Sequence, residues 1–361
     1  MKKIVATALI MLSLSAYAAE SGKQVAANFN DYSVSYVLPK TVIDIEVELE
    51  FTQLKAGPYA NYSQKYLGIP AKVTSESKTW RLVSASAKVS SIPDSSSAYT
   101  IQLKSGATPY IYINEEGVLL AVNAEPMTEN VVVEEKQDAE MTSSPLADDS
   151  YSYALTEEML LSGSNIRMAE LAAKQIYRIR ESRTDIITGE SDQQFDGEAL
   201  KIMMQQLDEQ ENRLTVMFTG TKQTQRKTVK FRWIPDGACE DVVVARVSEK
   251  EGLVDSNNLS GEPIYISLNN VKRATAPLDS KGLPFVLPEN SVIYNLPGEA
   301  QLSLTHQGEL LFTKKVELTQ FGVKFGLAPK LFVDKKIQTY MVLHPNTGAI
   351  KEIGQKVLSE K

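Results

Sequence analysis

Residues 41–51, T-V-I-D-I-E-V-E-L-E-F, alternate without a break: Ile43, Ile45, Val47, Leu49 and Phe51 are apolar, and Asp44, Glu46, Glu48 and Glu50 between them are acidic. Successive side chains of an extended chain point to opposite faces, so this pattern gives one face for a core and one for charge, whereas a helix would scatter both kinds around its circumference. The segment is a half-buried strand, and its carboxylates form one row spaced about 7 Å apart. Such a row can hold calcium, pair with basic residues on a neighbouring strand such as Arg81 or Lys88, or form the wet outer face of a sheet.

Strand-like runs also cover 31–38, 79–90, 98–104, 109–113 and 117–123, with Asn114-Glu115-Glu116-Gly117 as a hairpin turn. In the second half they cover 213–219, 225–234, 240–248, 263–268, 291–295, 299–305, 309–317 and 337–343, with turns at His306-Gln307-Gly308-Glu309 and His344-Pro345-Asn346-Thr347-Gly348. Between these sets lie two amphipathic helices. In the first, N-capped by Ser164, Ile166, Ala169, Ala172, Ala173, Ile176 and Ile179 share a face. The second starts at Asp196 and turns Leu200, Met203, Met204 and Leu207 inward. Both are expected to pack on the β-rich remainder. This order predicts an α+β fold of mostly antiparallel, β-rich modules with two amphipathic helices in the middle of the chain.

Lys2 and Lys3, an apolar run from Ile4 to Leu14, and Ala16-Tyr17-Ala18 have the form of a secretory signal peptide over 1–18. No later stretch approaches the roughly 18 apolar residues of a transmembrane helix. The mature chain is then expected to divide into a β-rich domain at 19–123 with one short helix, an acidic linker at 124–152, and an α+β domain at 153–361 with a further division near 255–262. The single cysteine, Cys239, has no partner for an internal disulfide, so stability rests on a core, for which 43% apolar residues suffice. The formal charge of −7, more negative still once Lys2 and Lys3 leave, argues against nucleic acid or an anionic membrane surface as partner.

The segments L-P-K-T-V-I-D-I-E-V-E-L-E at 38–50, K-A-G-P-Y-A-N-Y-S-Q-K-Y-L-G-I at 55–69, A-E-L-A-A-K-Q-I-Y-R-I-R-E-S-R at 169–183 and F-D-G-E-A-L-K at 195–201 resemble a family of exported proteins of unknown function from Bacteroides-type anaerobic bacteria. The resemblance implies a Gram-negative envelope and a periplasmic or cell-surface location. It transfers no site.

Most catalytic constellations are missing from the sequence. The only histidines, His306 and His344, lie in turns, and with no H-E-x-x-H helix and a single cysteine they do not make a usual zinc set. No serine sits in a G-x-S-x-G elbow, and Gly163, Gly189 and Gly197 are isolated rather than clustered around a phosphate. Asp185, Glu190, Asp192, Asp196 and Glu198 are dense but lack the spacing of an EF-hand loop. Cys239 stands close to Asp236 and Glu240, which disfavour its thiolate. No catalytic residue, metal or cofactor is assigned.

Two clusters remain as binding candidates. Arg178, Arg180 and Arg183 close the first long helix; they complement its dipole, or they grip an acidic glycan or a partner's carboxylates. Tyr59, Tyr62 and Tyr66 fall within about 60° of one another on a helix at 100° per residue. They either pack the short helix started by Gly57-Pro58 and stopped by Gly68 across the β unit, or form a sugar-stacking surface. The missing catalytic sets favour a noncatalytic envelope protein that binds a glycan or an envelope protein partner. The alternative is a carboxylate-based hydrolase of envelope or dietary polysaccharide, which needs only two facing acids.

Overall fold

The structure, a computed structural model, describes residues 23–26, 33–102, 110–126, 154–190, 197–283, 291–333 and 336–357. The stretch 1–18 and the linker from residue 127 onward lie outside these. The run at 41–51 is the middle of a far longer strand, β2 (Ser33–Lys55), which follows the short β1 (Lys23–Ala26) and pairs antiparallel with β3 (Ser77–Gln102). The sequence suggested two strands on each side because Pro39 and Pro93 interrupt the pattern. These prolines face each other across the ladder, where β2 has not yet met its second neighbour, and so neither costs an interstrand bond on a doubly paired strand.

That second neighbour, β6 (Thr221–Trp233), runs along β2 from Ile43 to Lys55, giving a sheet of order β3-β2-β6. Among the described residues there are two further sheets. β7 (Cys239–Ser248), β8 (Gly252–Val254), β9 (Glu262–Lys272), β10 (Val292–His306) and β11 (Glu309–Leu327) take the order β11-β10-β9-β7-β8. β4 (Tyr110–Ile113), β5 (Leu119–Val122), β12 (Ile337–Leu343) and β13 (Ile350–Val357) join β1 in the order β1-β4-β5-β12-β13. All these pairings are antiparallel, so the molecule is a β-rich α+β protein. Residues on either side of 124–152 share sheets, since β6 lies on β2 and β12 on β5.

Alternation then assigns side chains to cores. Ile43, Ile45, Val47 and Leu49 of β2 meet Ile264, Ile266 and Leu268 of β9 and Leu302 and Leu304 of β10 in one buried cluster. The first part of the same strand sends Tyr36 and Leu38 into a second cluster with Ile111, Val122, Met341 and, from β10, Val292 and Tyr294. Both β2 and β10 therefore run through two cores. The Tyr36 hydroxyl donates to the Ile293 carbonyl at 3.1 Å and accepts from the Ile293 amide at 2.7 Å, satisfying a buried phenol.

Turn chemistry behaves as the residue types require. The Asn114 side chain accepts from the amides of Glu116 and Val118, and Gly117 takes φ 86°. Gln307 and Gly308, with φ 50° and 82°, make the tight β10–β11 hairpin.

The helices form a third cluster. After α1 (Ser63–Leu67) and α2 (Glu157–Leu161) come α3 (Asn165–Thr188), which follows an extended Ser164, and α4 (Gly197–Thr219). The expected strand at 213–219 is the last turns of α4: Leu214, Met217 and Phe218 have helical spacing and are buried. Ala169, Ala172, Ala173, Ile176 and Ile179 are buried as expected, whereas Ile166 at the start of the stripe is 49% exposed. The two long helices pack on each other and on the tyrosine segment rather than on a sheet face. No described helix is long and apolar enough to cross a membrane.

Candidate functional site: a tyrosine and cation patch on the helical module

The end of α4 fixes where the tyrosines go. A helix leaves its last carbonyls without intrahelical donors, and here the Tyr59 amide reaches the Met217 carbonyl at 2.8 Å while those of Lys72 and Val73 reach Thr219 at 3.1 and 3.0 Å. Approach this close requires glycine: a Cβ on Gly57 would lie 2.2 Å from the Met217 oxygen. At Gly220, φ is +76° and a Cβ would lie 2.7 Å from the Lys55 carbonyl oxygen. The segment 57–73 is thereby clamped to the helices, not laid across the β unit as its sequence suggested.

The three tyrosines then separate. Tyr59 is 2% exposed, with its ring 5.4 Å from that of Phe218. Tyr62 and Tyr66 are half-buried at the rim of the same cluster, their ring centroids 6.2 Å apart and tilted by 45°. The Lys65 ammonium stands 4.9 Å from the Tyr66 ring centroid. From α3, the half-exposed Tyr177 donates its hydroxyl proton to the Tyr66 carbonyl at 3.1 Å, and the Arg180 guanidinium lies 5.6 Å from the Tyr177 ring centroid.

The arginine cluster also divides. Arg180 donates to Glu211 at 2.7 Å, and Arg183 contacts Glu211 at 2.6 Å and Asp208 at 2.5 Å, bracing α3 against α4. Burial pushes the Glu211 carboxyl up, but hydrogen bonds from Arg180 and Arg183 outweigh it and hold the group below the usual carboxylate range. Arg178 is exposed to solvent. Of the six candidates, Tyr62, Tyr66 and Arg180 thus belong to one patch, linked through Tyr177. Sequence reasoning passed over Tyr177, although it stands three residues before Arg180 in Q-I-Y-R-I-R, the spacing that places two side chains together on a helix.

The acidic row of β2 is met by cations from both neighbours. Arg232 bonds Asp44 at 2.7 Å, Lys230 lies 3.8 Å from Glu46, Arg226 bonds Glu48 at 3.2 Å, and Arg81 bonds Glu50 at 2.8 Å. Asp44 is raised by burial, then lowered below its ordinary value by Arg232 and Ser90. The signal was readable: R-K-T-V-K-F-R at 226–232 puts Arg226, Lys230 and Arg232 on one strand face, the mirror of D-I-E-V-E-L-E at 44–50.

The remaining candidates are local. Among the described residues no group of three or more His, Cys, Asp or Glu is placed to hold a metal ion. His306 Nδ1 lies 2.9 Å from the Pro263 carbonyl, a contact that joins the end of β10 to the neighbouring strand β9. The backbone of His344 closes the turn to Gly348 and Ala349. Burial raises the Cys239 thiol above its ordinary value, leaving it mostly protonated.

Fold and patch together define a β-rich antiparallel protein that carries a helical module with a rim of tyrosines and cations. The chain belongs to the family described as domain of unknown function (DUF4831), whose model matches residues 32–351. No curated protein and no solved structure matches the chain.

Proposed function

We propose that this is an exported, noncatalytic binding protein of a Gram-negative, Bacteroides-type envelope, and that it holds an acidic glycan on the helical patch. The observation that carries the reading is the grouping of Tyr62, Tyr66 and Tyr177 with Lys65 and Arg180, none of the five fully buried. An aromatic ring stacks on the apolar face of a pyranose, and the exposed Lys65 meets its carboxylate or sulfate, with Arg180, already held by Glu211, adding positive charge beside Tyr177. Export rests on the charged, apolar and A-x-A pattern of residues 1–18.

Hydrolysis by paired carboxylates draws less support, because the β2 acidic row is engaged with cations and Glu211 with two arginines. The test is a glycan array probed with the whole mature chain. Retention of uronic-acid or sulfated oligosaccharides above their neutral counterparts is the expected result. Uniform absence of binding, or release of shortened sugars on incubation, would overturn the reading.

A further inference from the structure

A second surface lies where the sheet of β2, β3 and β6 covers the larger sheet of β7–β11 incompletely. On the β3 side the two sheets are tied: the Trp80 amide donates to the Glu249 carbonyl at 2.7 Å, and the Trp80 ring covers Gly252, where a Cβ would lie 3.2 Å from it. On the β6 side they part. The gap is a groove of about 430 Å³, lined in part by the polar Asp255 and Asn258 and otherwise by apolar side chains, chiefly Val229 and Phe231 of β6 and Val244, Leu253 and Val254 of β7 and β8. These five apolar side chains are only half-buried. That volume falls within the usual range of ligand sites.

The groove runs beside an open strand edge. β6 ends its sheet, and among the described residues no strand pairs with its outer side. A strand added there would supply the missing ladder partners, send alternate side chains into the groove and place the others on the outer face, the geometry of β-augmentation. The outer face of β6 presents Arg226, Lys230 and Arg232, which meet acids from β2 on one side. Two of the contacts are long, Lys230 to Glu46 at 3.8 Å and Arg226 to Glu50 at 3.9 Å. Like charges directly opposite each other destabilise a strand pair, so this row disfavours a second β6 as occupant and favours an acidic row.

We propose that the β6 edge and its groove bind an extended segment of a partner protein in which apolar residues alternate with acidic ones. The apolar residues replace solvent between Phe231 and Val254, and the acidic residues continue the acid–base alternation that β2 and β6 begin. The proposal is independent of the glycan reading, since no residue is shared.

Fluorescence anisotropy with a labelled peptide of alternating Val and Glu, titrated with the whole mature chain, tests it. Binding is expected to exceed that of the Val–Lys peptide by about tenfold or more. It should weaken between ionic strengths of about 0.01 and 0.15 M. Val254→Arg, which fills the groove from an accessible position, should abolish it, while Tyr66→Ala should leave it unchanged. Hydrogen exchange on the unsubstituted chain should show new protection over 221–233 when the Val–Glu peptide is added, a readout that does not depend on a variant folding. Equal binding of both peptides, no added protection over 221–233, or a chain already dimeric through this edge would overturn the proposal.

Discussion

The Tyr177 hydroxyl donates to the Tyr66 carbonyl at 3.1 Å, joining residues 111 positions apart in sequence and making the rim of the helical module one surface. The bond uses the backbone of Tyr66, so it engages no atom of that half-buried ring while fixing its support from α3. Tyr177→Phe should therefore lower thermal stability by about 1 kcal/mol, the worth of one hydrogen bond, and loosen the 62–69 segment. Faster amide exchange confined to that segment would confirm it, and unchanged exchange would refute it.

The tyrosines differ in burial, and truncation should rank them. Tyr59→Ala removes a ring packed on Phe218 and should cost about 3–5 kcal/mol. Tyr62→Ala and Tyr66→Ala, from half-buried positions, should cost about 1–2 kcal/mol each. Denaturant midpoints decide the order, and equal losses at all three positions would contradict the packing described.

Glu211 provides a pH signature. Its folded-state carboxyl lies below its ordinary value, so its contribution is fully present above the unfolded value near 4.5 and is lost as pH falls through the folded one. Glu211→Gln should destabilise the protein near neutrality by about 2 kcal/mol and flatten the acid limb of its stability curve. An acid limb identical to that of the unsubstituted chain would show that the arginines do not depend on this carboxylate.

The β2–β6 charge rows can be exchanged. Asp44→Arg alone should destabilise by about 1 kcal/mol by facing Arg232 with a like charge, and adding Arg232→Asp should recover most of that loss. A double variant no more stable than the worse single one would mean the pair does not set the register.

Much of this architecture was legible in the sequence, for reasons particular to each element. The 41–51 strand and the Ala169–Ile179 stripe have long, clean periods, and Asn114 and Gly117 announce their turn by their chemistry. The continuity of β2 and β3 was not legible, because a proline reads as a terminator unless one knows that its strand has no second neighbour there. The short apolar run at 213–219 suits strand or helix until its neighbours along α4 are known. The packing of the tyrosines on α3 and α4 was hidden because it depends on carbonyls at the end of a distant helix. The patch was half visible, as two clusters whose link, Tyr177, carries no signal beyond its spacing from Arg180.

Shared sheets make a strong prediction about the chain's unity. A unique protease site inserted within 130–145 and cut in the folded protein should leave two fragments that co-elute in native buffer, since β6 pairs along β2 and β12 with β5. Separation only in denaturant is the expected behaviour. Two independently eluting folded pieces, as 19–123 and 153–361 read as separate domains would give, would contradict the pairing.

Titration calorimetry of an acidic oligosaccharide into the protein and into its Tyr66→Ala variant tests the proposed function most directly. Stability of the variant would be checked by denaturation under the same conditions. Stacking on the Tyr66 ring is worth enough that its loss should weaken binding by about tenfold or more while the variant stays folded. Equal affinity of the two proteins for the oligosaccharide would contradict a glycan site on the helical module.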